Sequence, residues 1–219
     1  MRRYKKTTKG FSLVELLVVV SIFLIISGVT LFRQSKFSSD ILITNTAYEI
    51  ALAVREAQTY GVGSKLNANP SDRKRSFGVY FSSDASQFLL YSESPNTDGT
   101  YDSLFNAADP VKYNIVSTIV LNREQKLLDF CGVDTTASPD EVECIRSGEI
   151  NRFDIAFVKP SLNAILSGRT SNGVVKHYNE AKIMIQSSLG DKCRTVVVNT
   201  VGQISVVPVA AGSTGCESL

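Results

Sequence analysis

Residues 11–32 read FSLVELLVVVSIFLIISGVTLF. In these 22 positions only Ser12, Glu15, Ser21, Ser27 and Thr30 interrupt the apolar residues and Gly28. Wound as a helix they would extend about 33 Å, enough for a bilayer core of about 30 Å. Five bases precede the run (Arg2, Arg3, Lys5, Lys6 and Lys9), with no acid among the first ten residues; Arg33 and Lys36 follow it. The positive-inside rule keeps such a start cytoplasmic and sends the body outward. The run is longer than the apolar region of a secretory signal peptide and ends in no small-residue cleavage site. A plain membrane anchor accounts for length and orientation but leaves Glu15 unexplained, because an ionisable group inside a membrane segment is costly and needs a partner.

Cleavage between Gly10 and Phe11 would supply that partner. The new amino group of Phe11 would be a cation at the membrane edge, and Glu15, four residues on, shares its helix face. The carboxylate can meet its own chain's terminus or that of a neighbouring subunit. In the second case two costly charges are neutralised only when subunits pack in register. The stretch KGFSLVELLVVV, behind its short basic leader, closely resembles the prepilin signature of type IV pilins and type II secretion pseudopilins. The resemblance implies that a membrane prepilin peptidase cuts after Gly10, that Phe11 is the methylated new terminus, and that Glu15 is the acid at the fifth mature position.

Beyond Phe32 the helical pattern continues. Ile41, Tyr48 and Leu52 lie near one stripe, joined by Ile50, Ala51 and Val54, and Ser38, Asp40, Asn45, Glu49 and Glu56 supply a polar side. No glycine occurs between Gly28 and Gly61, where Gly61 and Gly63 make a natural stop. The expectation is one helix over residues 11–60, apolar all round at first and one-sided later. Residues 64–75, with Pro70, read as a polar loop. About eight strand-like runs follow: SFGVYFS, QFLLYS, YNIVSTIVL, QKLLDF, RFDIAFV, AKIMIQS and a closing hairpin in CRTVVVNTVGQISVV around Gly202. Polar connections favour antiparallel sheet over βαβ units. The stretch SDILITNTAYEIALAVREAQTYGVGS, with FDIAFVKPSLNAIL and the closing hairpin, also looks like the H-type (FimT-like) pseudopilins, which implies two β-sheets packed on the helix. The expected fold class is α+β and pilin-like. Its parts are a leader (residues 1–10), a membrane or filament-core helix (11–32), an amphipathic stalk (33–62) and a β-rich domain (63–219).

The formal net charge of +2 gives no global signal for nucleic acid, and removing the five leader bases leaves −3. The four cysteines are Cys131, Cys144, Cys193 and Cys216. Their spacing favours disulfides Cys131–Cys144 and Cys193–Cys216, each closing a short loop, over free thiols. Zinc would want a close C-x-x-C pair or clustered histidines, and His177 is the one histidine. Disulfides imply an oxidising compartment.

No sequence constellation for catalysis appears: there is no H-E-x-x-H, P-loop or G-x-S-x-G, and His177 sits in NGVVKHYNE, a polar turn and strand start. SPNTDGTYD, with Asp98 and Asp102, has a faint likeness to a calcium loop but lacks its spacing and final glutamate. DTTASPDEVE reads as a solvated disulfide loop, with a recognition surface as the alternative. Arg73, Lys74 and Arg75 are the one basic cluster able to touch phosphate. The expected function is a structural subunit, a minor pilin or pseudopilin of a pilus or secretion pseudopilus, with no cofactor and no small-molecule substrate. Its expected partners are prepilin peptidase, other pilin-type subunits, the membrane assembly platform and, before assembly, the bilayer. The alternative is a FimT-like DNA-binding minor pilin. That reading is poorly supported, since the tail after Gly202 has no Arg or Lys.

Overall fold

The computed structural model describes residues 10–63, 74–83, 86–121, 125–136, 138–187 and 192–208. Helix α1, Leu13–Gly63, starts behind Ser12, whose carbonyl accepts the Leu16 N–H at 3.2 Å. It runs from one compact unit, ending at Ser39, into a second, Asp40–Leu219.

In the second unit the buried residues of α1 are Ile43, Thr46, Ala47, Ile50, Ala53, Val54, Ala57, Gln58 and Gly61. They recur every three or four positions, as a one-sided helix requires. The helix carries a second apolar stripe, and here the sequence reading needs correcting. Ile41, Tyr48 and Leu52 do not face the domain; they stay exposed on the opposite side. The buried face is rich in alanine, which lets the helix backbone approach the sheets closely. Asp40 is more than a member of a polar side. Its carboxylate accepts from Lys192 Nζ at 3.0 Å and from Arg194 Nη2 at 2.9 Å. The Lys192 hydrogen bond, followed by the nearby Arg194 charge, holds it below the usual carboxylate range.

Eleven strands form among the described residues, all paired antiparallel: β1 (Ser76–Ser82), β2 (Gln87–Glu93), β3 (Tyr113–Val120), β4 (Gln125–Asp134), β5 (Glu141–Cys144), β6 (Ile150–Phe157), β7 (Ala164–Thr170), β8 (Val175–Tyr178), β9 (Glu180–Ser187), β10 (Cys193–Asn199) and β11 (Ile204–Pro208). Sheet A has the order β3-β2-β1-β6-β7-β8 and sheet B the order β11-β10-β9-β4-β5. The sequence pattern shows eight of these runs and misses β5, β7 and the full extent of β8. One core joins Ala47, Ile50, Val54 and Ala57 of α1 to Phe77, Val79, Phe81, Phe153, Ile155 and Phe157 of sheet A and to Phe130, Ile183, Val196 and Val198 of sheet B. Phe77, Val79 and Phe81 alternate toward it as the pattern of β1 predicts.

Tyr178 stitches the sheets together. It belongs to β8 in sheet A, and its ring lies over Gly132 of β4 in sheet B and over Gly168 of β7. The ring stacks on Phe153 with centroids 5.8 Å apart, and its hydroxyl donates to Glu143 Oε2 of β5 at 2.5 Å. Two loops grip the end of α1. Buried Gln58 donates through Nε2 to the carbonyls of Leu162 (3.3 Å) and Gly202 (3.0 Å), while Arg55 Nη1 donates to its Oε1 at 2.6 Å. Gly202, in the turn between β10 and β11, has φ 81°, and a Cβ there would stand 2.3 Å from the Leu162 carbonyl oxygen. Gly202→Ala is expected to cost about 2 kcal/mol or more through strain and collision, read as a lower melting temperature with the strand content unchanged at low temperature.

Candidate functional site

The first turn of α1 concentrates the residues that sequence reasoning selected. Gly10 and Phe11 precede the helix and are exposed, and Glu15 lies in its first turn. With Ser12 at the position that caps the helix, Glu15 falls three residues on, the S-x-x-E spacing of a capping box. There a carboxylate faces the unpaired N–H groups and the positive end of the helix dipole. An acid at this position therefore suits the helix start in an uncut chain as well, before any terminal amine exists.

The rest of the segment is built for an apolar surrounding. Leu13–Thr30 is long and apolar enough to cross a membrane. Its large apolar side chains are exposed on every side, and even the least exposed, Val20, shows 48 % of its surface. A surface of this kind is stable only against lipid or other apolar helices. Two of its hydroxyls are internally satisfied: Ser21 Oγ donates to the Leu17 carbonyl at 2.8 Å and Thr30 Oγ1 to that of Ile26 at 2.6 Å. Such back-bonding to the preceding turn hides the polar atoms. Glu15 is the one ionisable side chain within Leu13–Thr30.

The remaining candidates are placed as follows. Cys131 and Cys144 are directly paired across β4 and β5 and joined by a disulfide, with Cα atoms 4.1 Å apart. Cys193 is also disulfide-bonded; Cys216 lies outside the described residues. Asp129 approaches the Cys131 and Cys144 sulfurs within 4.8 Å. Those sulfurs are committed to each other, and the Asp129 carboxylate accepts the Phe130 and Arg146 N–H groups at 2.9 and 3.0 Å.

Asp98 closes a turn by accepting from Thr100 N and Oγ1 at 3.0 and 2.7 Å. Asp102 is bound to Lys112 Nζ, to Asn96 Nδ2 at 2.9 Å and to the Tyr113 hydroxyl at 3.1 Å. A cationic ammonium thus already sits on Asp102, where a calcium ion would need oxygen ligands. Of the basic cluster, Arg73 lies outside the described residues, Lys74 is exposed, and Arg75 is half-buried with Nη1 donating to Ser92 Oγ at 3.2 Å. This leaves Lys74 as the exposed base of the three among the described residues, a weak basis for holding phosphate. His177 Nδ1 meets the fully buried Ser167 Oγ at 3.0 Å. The serine is shut away from solvent, so the pair is no accessible nucleophile and base.

The acidic stretch of residues 134–143 is not wholly solvated, as the sequence reading had it. Its end forms β5, and Glu143 is buried, bound to Lys176 Nζ and Tyr178. Sequence reasoning also missed two deeply buried carboxylates, Glu93 and Asp154, which accept from backbone amides of residues 102–105 in the connection between β2 and β3. The one signal available was an acid inside each strand pattern, at the end of β2 and in the middle of β6.

Residues 5–31 match the family described as the prokaryotic N-terminal methylation motif. No curated protein and no solved structure matches the chain. The matched segment contains Gly10, Phe11 and Glu15 and runs to within one residue of Phe32. The motif implies processing by a prepilin peptidase and assembly with other pilin-type subunits, and together with the apolar helix it points to a membrane-anchored chain. A methylation motif on an exposed apolar helix, followed by a two-sheet antiparallel domain, supports a type IV pilin or pseudopilin reading of the chain.

Proposed function

We propose that the protein is a minor structural subunit of a pilus or of a secretion pseudopilus, with its finer affinity to the H-type pseudopilins. The chain is inserted with residues 1–10 on the cytoplasmic side and the domain outside, cut after Gly10, methylated on Phe11, and polymerised through residues 11–32. Residues 33–62 act as the stalk and the remainder as the outward domain. The observation that carries this reading is the matched N-terminal motif on a helix whose apolar sides all await a partner. The Cys131–Cys144 disulfide supports an oxidising location for the domain. Function here is packing rather than turnover: burial of the helix faces drives assembly, and Glu15 opposite a neighbour's terminal amine fixes the register.

The test is intact mass and N-terminal peptide mass spectrometry on protein isolated from membranes. An N-methylated Phe11 terminus is the expected result. A chain still starting near Met1 beside an active prepilin peptidase would overturn it.

The assembly role has its own prediction. Glu15→Ala is expected to be inserted and cut like the wild type, yet recovered in sheared filaments or pseudopili at no more than about one tenth of the wild-type amount, the equivalent of ~1.4 kcal/mol. Full incorporation of the alanine variant would remove the role given to the carboxylate.

A further inference from the structure

The part of sheet A's outer face around Tyr80, Leu89 and Tyr91, turned away from the shared core, is covered by residues 94–112. This connection between β2 and β3 contains no helix or strand, whereas antiparallel neighbours usually need two to five residues. Its attachment is unusual. Asp102 N donates to Glu93 Oε1 at 2.7 Å, Ser103 N to Glu93 Oε2 at 3.1 Å, and Phe105 N to Asp154 Oδ1 at 2.9 Å. Glu93 and Asp154 are both essentially without solvent contact. Three amides of one four-residue stretch are thus held by two buried carboxyl groups on neighbouring parts of the sheet.

The Phe105 ring enters an aromatic floor, with centroids 5.0 Å from Tyr80, 5.2 Å from Tyr91 and 5.9 Å from Tyr113. Ser103 is held at φ 55°, a left-handed conformation that non-glycine residues seldom adopt. The docked loop therefore carries a local cost that its attachments must outweigh.

Burial raises Asp154 to about 8, against the opposing pull of the Phe105 N–H, Tyr91 and Arg169. Burial likewise raises Glu93, against the Asp102 and Ser103 amides and Lys112. The groups facing this site are Tyr80 of β1, Tyr91 and Glu93 of β2, Arg152 of β6, Arg169 of β7, and Tyr101, Asp102, Lys112 and Tyr113 of the covering segment and its exit. Ser167 lies directly opposite Asp154 in the sheet and bonds His177 of β8.

We propose that residues 94–112 form a pH-gated cover, docked while Asp154 holds a proton and lifting at residues 102–105 as the solution turns alkaline. Lifting returns Asp154 to water and to the ordinary carboxylate range, so the docked form binds the proton more tightly. Docking is then strongest below that ordinary range and is lost as pH rises through about 8. Between those limits it weakens about tenfold per pH unit for the one proton. Glu93 acts with the same sign. What the lifted loop uncovers is the apolar floor of Tyr80, Leu89 and Tyr91.

The experiment is hydrogen exchange at the Phe105 amide of the full chain in detergent micelles, from about pH 6 to about pH 9, corrected for intrinsic base-catalysed exchange. The opening constant is expected to rise about tenfold per pH unit up to about pH 8 and then level. Asp154→Asn keeps an oxygen for the Phe105 N–H but cannot ionise, and its curve is expected to lose the tenfold-per-unit slope and keep only the weaker dependence that Glu93 contributes. His177→Gln is expected to follow the wild type. A flat wild-type curve, a wild-type slope surviving in Asp154→Asn, or a slope abolished by His177→Gln would each overturn the proposal. If the asparagine variant does not fold, the wild-type curve still decides.

Discussion

Replacing Gly10 by valine should leave the subunit in the membrane at its full precursor mass, with essentially no processed form and no incorporation into filaments. Residue 10 lies outside the helix and is exposed, and a Cβ built on it meets nothing within 4 Å. The substitution therefore disturbs no contact within the chain. Any loss of processing falls on the peptidase, which must seat the backbone on either side of the scissile bond closely enough to attack it. Because the chemistry needs near-attack geometry, a branched side chain beside the bond is expected to reduce cleavage by about 100-fold or more. The control is Gly28→Ala, in the exposed helix that follows and equally uncrowded. It is expected to be cut at the wild-type rate. The readout is the ratio of precursor to mature mass after a pulse of synthesis, and equal ratios for Gly10→Val and wild type would withdraw Gly10 from the cleavage site.

The second large effect is expected inside the domain. Gly132→Val would place its Cβ 2.4 Å from the ring of Tyr178. That ring cannot step aside, since it is stacked on Phe153, held by Glu143 at its hydroxyl and backed by Gly168. Overpacking a rigid site costs about 3 kcal/mol or more, two further methyl carbons adding to the Cβ collision. For a domain of this size that is a fall in melting temperature of about 6–12 °C. Gly63→Ala, where a Cβ meets nothing within 4 Å, is the comparison and should stay within about 0.5 kcal/mol of wild type. Thermal unfolding of the full chain in detergent, followed by circular dichroism, measures both. Similar melting temperatures for the two variants would show that the Tyr178 seat is softer than its contacts imply.

The N-terminal motif and its apolar helix were legible because everything they require is local. The glycine, the phenylalanine, the carboxylate and the apolar run lie within one short stretch, and membrane insertion depends on composition along the chain rather than on distant contacts. Strands whose alternation faces one core, such as β1, β6 and β9, were legible for a similar reason. β5, β7 and β8 were not. EVEC and VKHY owe their strand state to partners across the sheet, and AILSGRT puts Ser167 and Gly168 where a pattern search wants bulky apolar residues.

The stalk shows a different limit. Periodicity reveals that α1 has apolar stripes, but not which of them a domain covers. Counting Ile41, Tyr48 and Leu52 as the inner face gave weight to size, whereas the fold used the smaller Ala47, Ala53 and Ala57 to bring helix and sheets together. The buried carboxylates Glu93 and Asp154 left almost no trace, because the loop reaches them mainly through main-chain amides, and every residue but proline has one. In Asp154 the partner lies 49 positions away.

The arrangement around Tyr178 also constrains how this domain can diverge. Gly132 and Gly168 are flat spots in two different sheets that exist to admit a single aromatic side chain. A side chain at either position becomes tolerable only after residue 178 has shrunk. Shrinking residue 178 alone leaves a void between the sheets and strips the buried Glu143 of its hydroxyl donor. Each single step is therefore disfavoured by itself. Related chains should keep the two glycines and the tyrosine as a set or exchange all of them together, so the trio serves as a hereditary marker of this particular joining of the sheets, independent of the N-terminal motif.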